Sequence, residues 1–266
     1  MRILVLAKWS LIGALVGLTF AGVAQGERRT GYLAPDAFDI LAVLPRAPVQ
    51  DDPRYEADRK MFLQTRALVG SARWDMAIND VKTSSADMMR DFSCAAGIEL
   101  TPAGALHLAA LIGKASIDTG FETNLAKNYY KRLRPFQIDK GQICQPASEV
   151  ANTFDYPSGH TTLGWTWAAI LAELIPDRAT AILARGRAFG ESRIVCGVHN
   201  ASAVEAGRLS ATMTVSVIRG MPSYQADLEA ARAELNKLRQ SGGAPKQEEC
   251  TAESKLVQQD IFITAR

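Results

Sequence analysis

The sequence predicts an all-α fold, organised as a single-domain helical bundle. Apolar residues recur every three or four positions through most of residues 51–240, as they do on helices that bury one face. Alternating patterns bounded by turns, which indicate strands, are missing. The 266-residue chain is 47% apolar, enough for a sizeable core, and no internal repeat or clear linker divides it into domains.

A secretory signal peptide is predicted over residues 1–24. This segment carries Arg2 and Lys8, and an apolar run from Trp9 to Ala24 that closes with small residues. The run is short for a membrane span, and an uncleaved N-terminal anchor is the alternative. Because no comparable run follows, the mature protein is predicted to be soluble, free of the membrane, and periplasmic or secreted.

Proline, serine and glycine punctuate the remaining chain. Residues 25–50 contain several prolines and predict an extended N-terminal arm, residues 51–240 the helical domain, and residues 241–266 a short C-terminal tail. Within the domain, helices are predicted from Pro53 to Gly70, from Ser71 to Gly97, from Thr101-Pro102 onward, and over residues 158–177, 177–193, 199–220 and 223–243.

Charge and cysteine content exclude some classes of function. Without residues 1–24 the chain has 28 basic and 28 acidic residues, so nothing in its net charge predicts nucleic-acid binding. Histidine and cysteine clusters with metal-ligand spacing are absent from the sequence, so no zinc site or other metal site is predicted. An even number of cysteines in an exported protein suggests two disulfides, with three possible pairings of Cys94, Cys144, Cys196 and Cys250.

Three short segments bring together residues that suit a tetrahedral oxyanion. Arginine forks bind phosphate oxygens in pairs, and the free N–H groups of a helix start add donors and a positive dipole end. One histidine could act as the nucleophile and a second could protonate the leaving oxygen, so such a site needs neither metal nor cofactor. The segments are "KNYYKRLRP" with Lys127 and Arg134, "YPSGH" with Ser158, Gly159 and His160, and "SRIVCGVH" with Arg193 and His199.

In this order, K-x6-R-P, P-S-G-H and S-R-x5-H resemble the three-part signature of the phosphatidic acid phosphatase type 2 superfamily. From about Leu33 to Gln240 the chain is most similar to the bacterial class A non-specific acid phosphatases. The resemblance implies an exported, all-helical hydrolase of phosphomonoesters, with the fold shared by acid phosphatases and vanadium haloperoxidases. It also implies that phosphate or vanadate would inhibit the enzyme by occupying its oxyanion pocket.

The resemblance further implies a role for each residue. His199 would attack phosphorus and carry a phosphohistidine, and His160 would protonate the leaving alcohol and then activate water. The phosphate oxygens would be held by Lys127, Arg134, Ser158, the N–H of Gly159, and Arg193. Similar positions in class A relatives suggest the pairs Cys144–Cys196 and Cys94–Cys250, with free buried thiols as the alternative.

The pattern departs from the family at one position. An aspartate is expected four residues after the nucleophilic histidine, where it would fix the tautomer of the ring, but the chain has Ala203 there. In a serine triad the comparable loss costs on the order of 10⁴ in turnover. A substitute acceptor could be Ser202, a backbone carbonyl or Asp155.

Other functions therefore stay open. The chain could be a phosphatase of reduced activity, a phosphate- or phosphoester-binding relative that does not turn over, a vanadate-dependent haloperoxidase or a lipid phosphatase. A homo-oligomer is a further alternative.

Several charged residues outside the motifs are expected at the surface, among them Lys131, Arg132, Arg185 and Arg208.

Overall fold

The computed structural model describes residues 30–34 and 36–262 of the chain. The predicted signal peptide, residues 1–24, lies outside these residues. Within them the fold is all-α, and the helices pack without any β-strand. Eleven α-helices are described: α1 (Ile40–Val43), α2 (Pro53–Thr65), α3 (Ala72–Asn79), α4 (Ser85–Ala96), α5 (Leu106–Tyr130), α6 (Pro135–Ile138), α7 (Gly159–Leu174), α8 (Ala179–Val195), α9 (Ala201–Ile218), α10 (Pro222–Gln240) and α11 (Gln247–Gln258).

Capping residues explain where several helices begin. Asp52 accepts a hydrogen bond from the N–H of Arg54 at the start of α2, and Ser71 accepts one from Trp74 at the start of α3. The segment predicted as one helix from Ser71 to Gly97 is two helices, α3 and α4. The chain turns between them, and Ser84 caps α4 by accepting from Asp87.

Helix α5 begins later than the sequence predicts. The Thr101-Pro102 pair lies in a turn, and α5 begins at Leu106. The carboxylate of Glu234 on α10 accepts from the N–H groups of His107 and Leu108, at 3.1 Å and 3.0 Å. Glu234, more than 120 positions away, thus accepts from N–H groups of the first turn that have no partner within the helix, so no local cap is needed.

Helix α7 lies at the centre of the fold, packed against α5, α8 and α9. Small residues permit the close approach of these helices. A Cβ atom added to Gly207 on α9 would lie 2.7 Å from the carbonyl oxygen of Ser158, and one on Gly164 would lie 2.4 Å from the ring of Phe189. This packing brings the first turn of α7, which carries the predicted site residues Gly159 and His160, directly onto α9.

The two ends of the described chain are tied to the body. In the N-terminal arm, the backbone N–H of Tyr32 donates to Asp118 of α5 at 2.7 Å, and the arm contains the short helix α1. The predicted C-terminal tail contains the twelve-residue helix α11. Disulfides join Cys94 to Cys250, which fastens α11 to α4, and Cys144 to Cys196.

None of the helices in the described part of the chain combines the length and the hydrophobicity that a membrane crossing requires.

Candidate active site

The three motifs meet where the end of α5, the start of α7 and the end of α8 come together. Lys127 lies in the last turn of α5, and Arg134 is the N-cap residue of α6. A Cβ atom on Gly159 would lie 3.7 Å from Cε of Lys127, so the start of α7 contacts that lysine. Arg193 lies in the last turn of α8, and His199 lies in the short loop before α9.

His199 is buried and held from both sides. Its Nε2 atom lies 2.9 Å from Nη1 of Arg134, and its Nδ1 atom lies 3.0 Å from Oδ1 of Asp155. Since a guanidinium group can only donate, Nε2 must be the acceptor and Nδ1 must carry the proton. Burial, followed by the charges of Arg134, Lys127 and Arg193, holds the pKa of His199 well below its usual value. The ring is therefore neutral, with its Nε2 lone pair directed toward cationic groups.

Asp155 is fully buried among hydrogen-bond donors. Besides the His199 ring, it accepts from the backbone N–H of Asn200 at 3.1 Å and from Nδ2 of Asn200 at 2.8 Å. Nη1 of Arg132 lies 3.4 Å from Oδ2 of Asp155. Burial raises the pKa of this carboxyl group, and the opposing effects are the Arg132 charge and the Asn200 bonds.

His160 is fixed by a backbone group. Its Nε2 atom lies 3.1 Å from the carbonyl oxygen of Val81, just beyond α3. A carbonyl only accepts, so Nε2 donates and Nδ1 is the nitrogen left for proton transfer. Burial, and then the charge of Arg193, lower the pKa of His160 to about 3.

Lys127 and Arg193 are cations that lack a carboxylate partner among the described residues. The ammonium group of Lys127 donates to the carbonyl of Phe154, and burial lowers its pKa to about 7. Arg193 is fully buried, and burial followed by the charge of Arg134 lowers its pKa to about 9. Nη2 of Arg193 donates to Gln145, whereas Nε and Nη1 have no partner within residues 30–34 and 36–262. Unsatisfied buried donors of this kind suit an anion.

Ser158 and Gly159 form the N-terminus of α7. The Ser158 hydroxyl caps the helix by accepting from the backbone N–H of Thr161 at 3.4 Å, and it accepts from the Thr161 hydroxyl at 2.9 Å. Its own proton stays available for a further acceptor. The helix N-terminus adds N–H donors and a positive dipole end to the same region.

The site residues predicted from the sequence thus come together. Besides burial, the charges of Lys127, Arg134 and Arg193 lower the pKa of both His160 and His199, and those of Arg134 and Arg193 lower the pKa of Lys127. Gly159 lies beside Lys127, since a Cβ atom there would be 3.7 Å from Cε of the lysine. The positive charges stand close to two neutral imidazoles, an arrangement suited to binding and stabilising a tetrahedral anion.

Two of the arginines that were expected at the surface are buried. Arg132 is 8% exposed, and its Nη2 atom lies 2.8 Å from Oδ2 of Asp58. Arg185 is 2% exposed, and its Nη2 atom lies 2.7 Å from Oδ1 of Asp80. The expectation was wrong because the sequence around an arginine does not show which distant acidic residue will pair with it in the folded chain.

Ser202, considered as a hydrogen-bond partner of His199, is engaged elsewhere. Its hydroxyl contacts Asp58 at 2.5 Å and accepts from Nη1 of Arg132 at 2.7 Å. Ala203 is fully buried and packs in an apolar cluster with Tyr156. Sequence reasoning did not find Gln145, the partner of Arg193, since no motif includes that residue.

The described part of the chain contains no group of three or more histidine, cysteine or acidic residues able to hold a metal ion.

Comparison with known proteins identifies the family. Residues 103–227 match the model of the PAP2 superfamily. The chain is 41% identical over 217 residues to an acid phosphatase of Zymomonas mobilis, covering 81% of this chain and 82% of the relative. It is 35% identical to a non-specific acid phosphatase of Salmonella typhimurium, covering 73% and 78%, and 32% identical to one of Providencia stuartii, covering 85% and 96%. The chain therefore belongs to the PAP2 superfamily and, within it, to the bacterial non-specific acid phosphatases, which are phosphomonoester hydrolases.

Proposed function

We propose that this protein is an exported acid phosphatase that hydrolyses small phosphomonoesters, nucleotides among them, through a phosphohistidine on His199. The observation that carries the proposal is the Nε2 atom of His199, which accepts from Nη1 of Arg134 at 2.9 Å on a ring that also feels the charges of Lys127 and Arg193. A phosphoryl group bound to these cations would meet the nucleophile directly.

In the first step, Nε2 of His199 forms a bond to phosphorus while the bond to the ester oxygen breaks. His160 carries a proton on Nδ1 while the phosphoryl anion is bound beside it, and the leaving alcohol oxygen takes that proton as the ester bond breaks. The charge on the transferred phosphoryl oxygens is stabilised by Lys127, Arg134, Arg193 and the N-terminus of α7. The Ser158 hydroxyl and the Gly159 N–H donate to the same oxygens.

In the second step, His160 accepts a proton from water, whose oxygen attacks phosphorus as the bond to His199 breaks. Phosphate leaves and the His199 ring is neutral again. A histidine that gives a proton in one step and takes one in the next fits general acid–base catalysis. Since the protein's own cations supply the positive charge, we expect activity to persist in a chelator such as EDTA.

Export is supported by two independent features. Residues 1–24 have the layout of a signal peptide, and the two disulfides are typical of an oxidising compartment such as the periplasm. Mass spectrometry of the protein from the periplasmic fraction would test this part of the proposal. A mature N-terminus near residue 25 is expected, and a chain that starts at Met1 would contradict it.

The catalytic part is tested with p-nitrophenyl phosphate in EDTA, comparing the parent with His199→Ala. We expect the variant to lose turnover by at least about 10³-fold, vanadate to inhibit the parent competitively, and alkaline quenching, which preserves a phosphorus–nitrogen bond, to trap a phosphoenzyme in the parent only. Equal turnover in both proteins would overturn the assignment of His199.

Two further measurements separate the alternatives. A phosphate-binding relative without catalysis would bind phosphate in calorimetry yet show no turnover above His199→Ala. A vanadate-dependent haloperoxidase would oxidise halide when loaded with vanadate. The alternative of binding without catalysis was based on the alanine at position 203, which cannot orient His199. The contact between Asp155 and His199 supports catalysis instead, because it supplies a carboxylate to that ring.

A further inference from the structure

The alanine at position 203 has no polar group that could orient His199, yet the contacts of the ring favour a single tautomer. The contact that holds it comes from Asp155, which lies 44 positions before His199 in the sequence and three positions before Ser158. The backbone fixes this geometry, because the N–H of Asp155 donates to the carbonyl of Arg132 at 2.9 Å. The N–H of Ser158 donates to the carbonyl of Ala203 at 2.9 Å. The loop before α7 is thereby docked on the start of α9.

We propose that Asp155 is the positioning residue of the nucleophile, a carboxylate that reaches His199 from the loop before α7 rather than from the first turn of α9. The inference rests on the proposed role of His199. When Nε2 bonds to phosphorus, the ring keeps its Nδ1 proton and becomes positively charged. The Asp155 carboxylate then stabilises that charge and holds the ring in line with the phosphoryl group.

The surroundings of Asp155 require a carboxylate. Oδ1 accepts from Nδ1 of His199 and the N–H of Asn200, and Oδ2 accepts from Nδ2 of Asn200 and faces Nη1 of Arg132. These groups are all donors, so both oxygens must accept. An asparagine at position 155 would have one amino group. That group would oppose Asn200 and Arg132, or it would face His199 and force the ring proton onto Nε2.

A second layer holds Arg132 in place. Nη2 of Arg132 lies 2.8 Å from Asp58, and Asp58 also accepts from the N–H of Ser202 at 2.9 Å. Asp58 on α2 thus links Arg132, in the loop after α5, to Ser202, in the first turn of α9. Through Arg132 this network reaches the buried carboxylate of Asp155. Burying a carboxylate costs desolvation free energy, and this cost favours a functional role for Asp155.

The test compares Asp155→Asn with Asp118→Asn. Asp118 is a matched control because it is also a buried carboxylate that accepts backbone N–H donors, from Tyr32 and Leu33, at the N-terminal arm. We expect Asp155→Asn to lower kcat by about 10³–10⁴-fold, the scale seen when the orienting acid of a serine triad is lost, with KM nearly unchanged. We expect Asp118→Asn to affect stability and leave kcat unchanged.

The tautomer is read directly by ¹⁵N spectroscopy, which is simple here because the chain has three histidines. The parent and Asp118→Asn should show His199 protonated at Nδ1, and Asp155→Asn should lose that signature. Asp155→Ala combined with Ala203→Asp should recover at least about tenfold of the turnover lost in Asp155→Ala.

Each outcome decides a different point. If His199→Ala is inactive while Asp155→Asn keeps the parental kcat, the role of Asp155 is overturned and that of His199 stands. If kcat falls in Asp155→Asn but the Nδ1 proton of His199 is retained, Asp155 is merely structural and the proposal is again overturned. If His199→Ala is fully active, the proposed mechanism itself has failed.

Discussion

Nε2 of His160 lies 3.1 Å from the carbonyl oxygen of Val81, 79 positions earlier in the chain. This contact commits Nε2 to donating and leaves Nδ1 for chemistry. Burial and the nearby cations lower the pKa of His160 to about 3. A bound phosphoryl group brings negative charge next to the same cations, and that charge favours the protonated ring.

We therefore predict that the pKa of His160 rises by about 1–3 pH units when phosphate binds. NMR titration of the labelled imidazoles, with and without saturating phosphate, measures the change. The resonance of His107, exposed on α5, reports any general effect of the added ion. A His160 titration curve that does not move would mean that this ring does not protonate the leaving group.

Lys127 should make anion binding depend on pH. Burial lowers its pKa to about 7, so the ammonium group is charged below that pH and loses its charge above it. The affinity for sulfate, whose own charge stays constant over this range, should fall as the pH rises through about 7. Competitive inhibition by sulfate at several pH values gives the curve. In Lys127→Arg the guanidinium stays charged, so the dependence should flatten; a curve identical to the parent's would assign the pH effect to another group.

Two arginines on α8 should respond oppositely to the same substitution. Arg193 is buried with unsatisfied donors, whereas Arg185 is paired with Asp80. We predict that Arg193→Met raises the free energy of unfolding of the unliganded protein by about 1–3 kcal/mol, because it removes an uncompensated buried charge. We predict that Arg185→Met lowers that free energy by about 3–5 kcal/mol, because Asp80 is left unpaired.

Chemical denaturation in phosphate-free buffer measures both free energies. Vanadate should raise the melting temperature of the parent and have much less effect on Arg193→Met, since a ligand stabilises only the state that it binds. A loss of stability in Arg193→Met, together with a full vanadate response, would show that Arg193 serves the fold and not the anion.

The close approach of α9 to the start of α7 should be sensitive to one methyl group. A Cβ atom on Gly207 would lie 2.7 Å from the Ser158 carbonyl, which is backbone and cannot move alone. We predict that Gly207→Ala destabilises the protein by about 1–3 kcal/mol and lowers kcat by displacing Ser158. Gly120 on α5 has nothing within 4 Å of such an atom, so Gly120→Ala should stabilise by about 0.4–1 kcal/mol. Equal effects in the two variants would argue against tight packing at Gly207.

Much of the fold and the site could be predicted from local sequence. Apolar spacing and capping residues set the positions of most helices, because these signals act within a few residues. They failed where the partner is distant, as at the start of α5, which Glu234 of α10 caps. The three ordered motifs supplied the residues that we propose as nucleophile, acid and anion ligands, since those chemical types recur at fixed spacings.

The sequence by itself therefore determined the all-α class and the set of residues that we propose bind and attack a phosphoryl group. Only the tertiary structure decided how that set is supported. The sequence offered Ser202, a backbone carbonyl and Asp155 as candidates to orient His199, and packing brings Oδ1 of Asp155 to 3.0 Å from Nδ1 of that ring. It also placed Arg132 and Arg185 in the interior, against Asp58 and Asp80. The physical reason is that a buried charge is stable only beside its partner, and the chain brings such partners together across long separations.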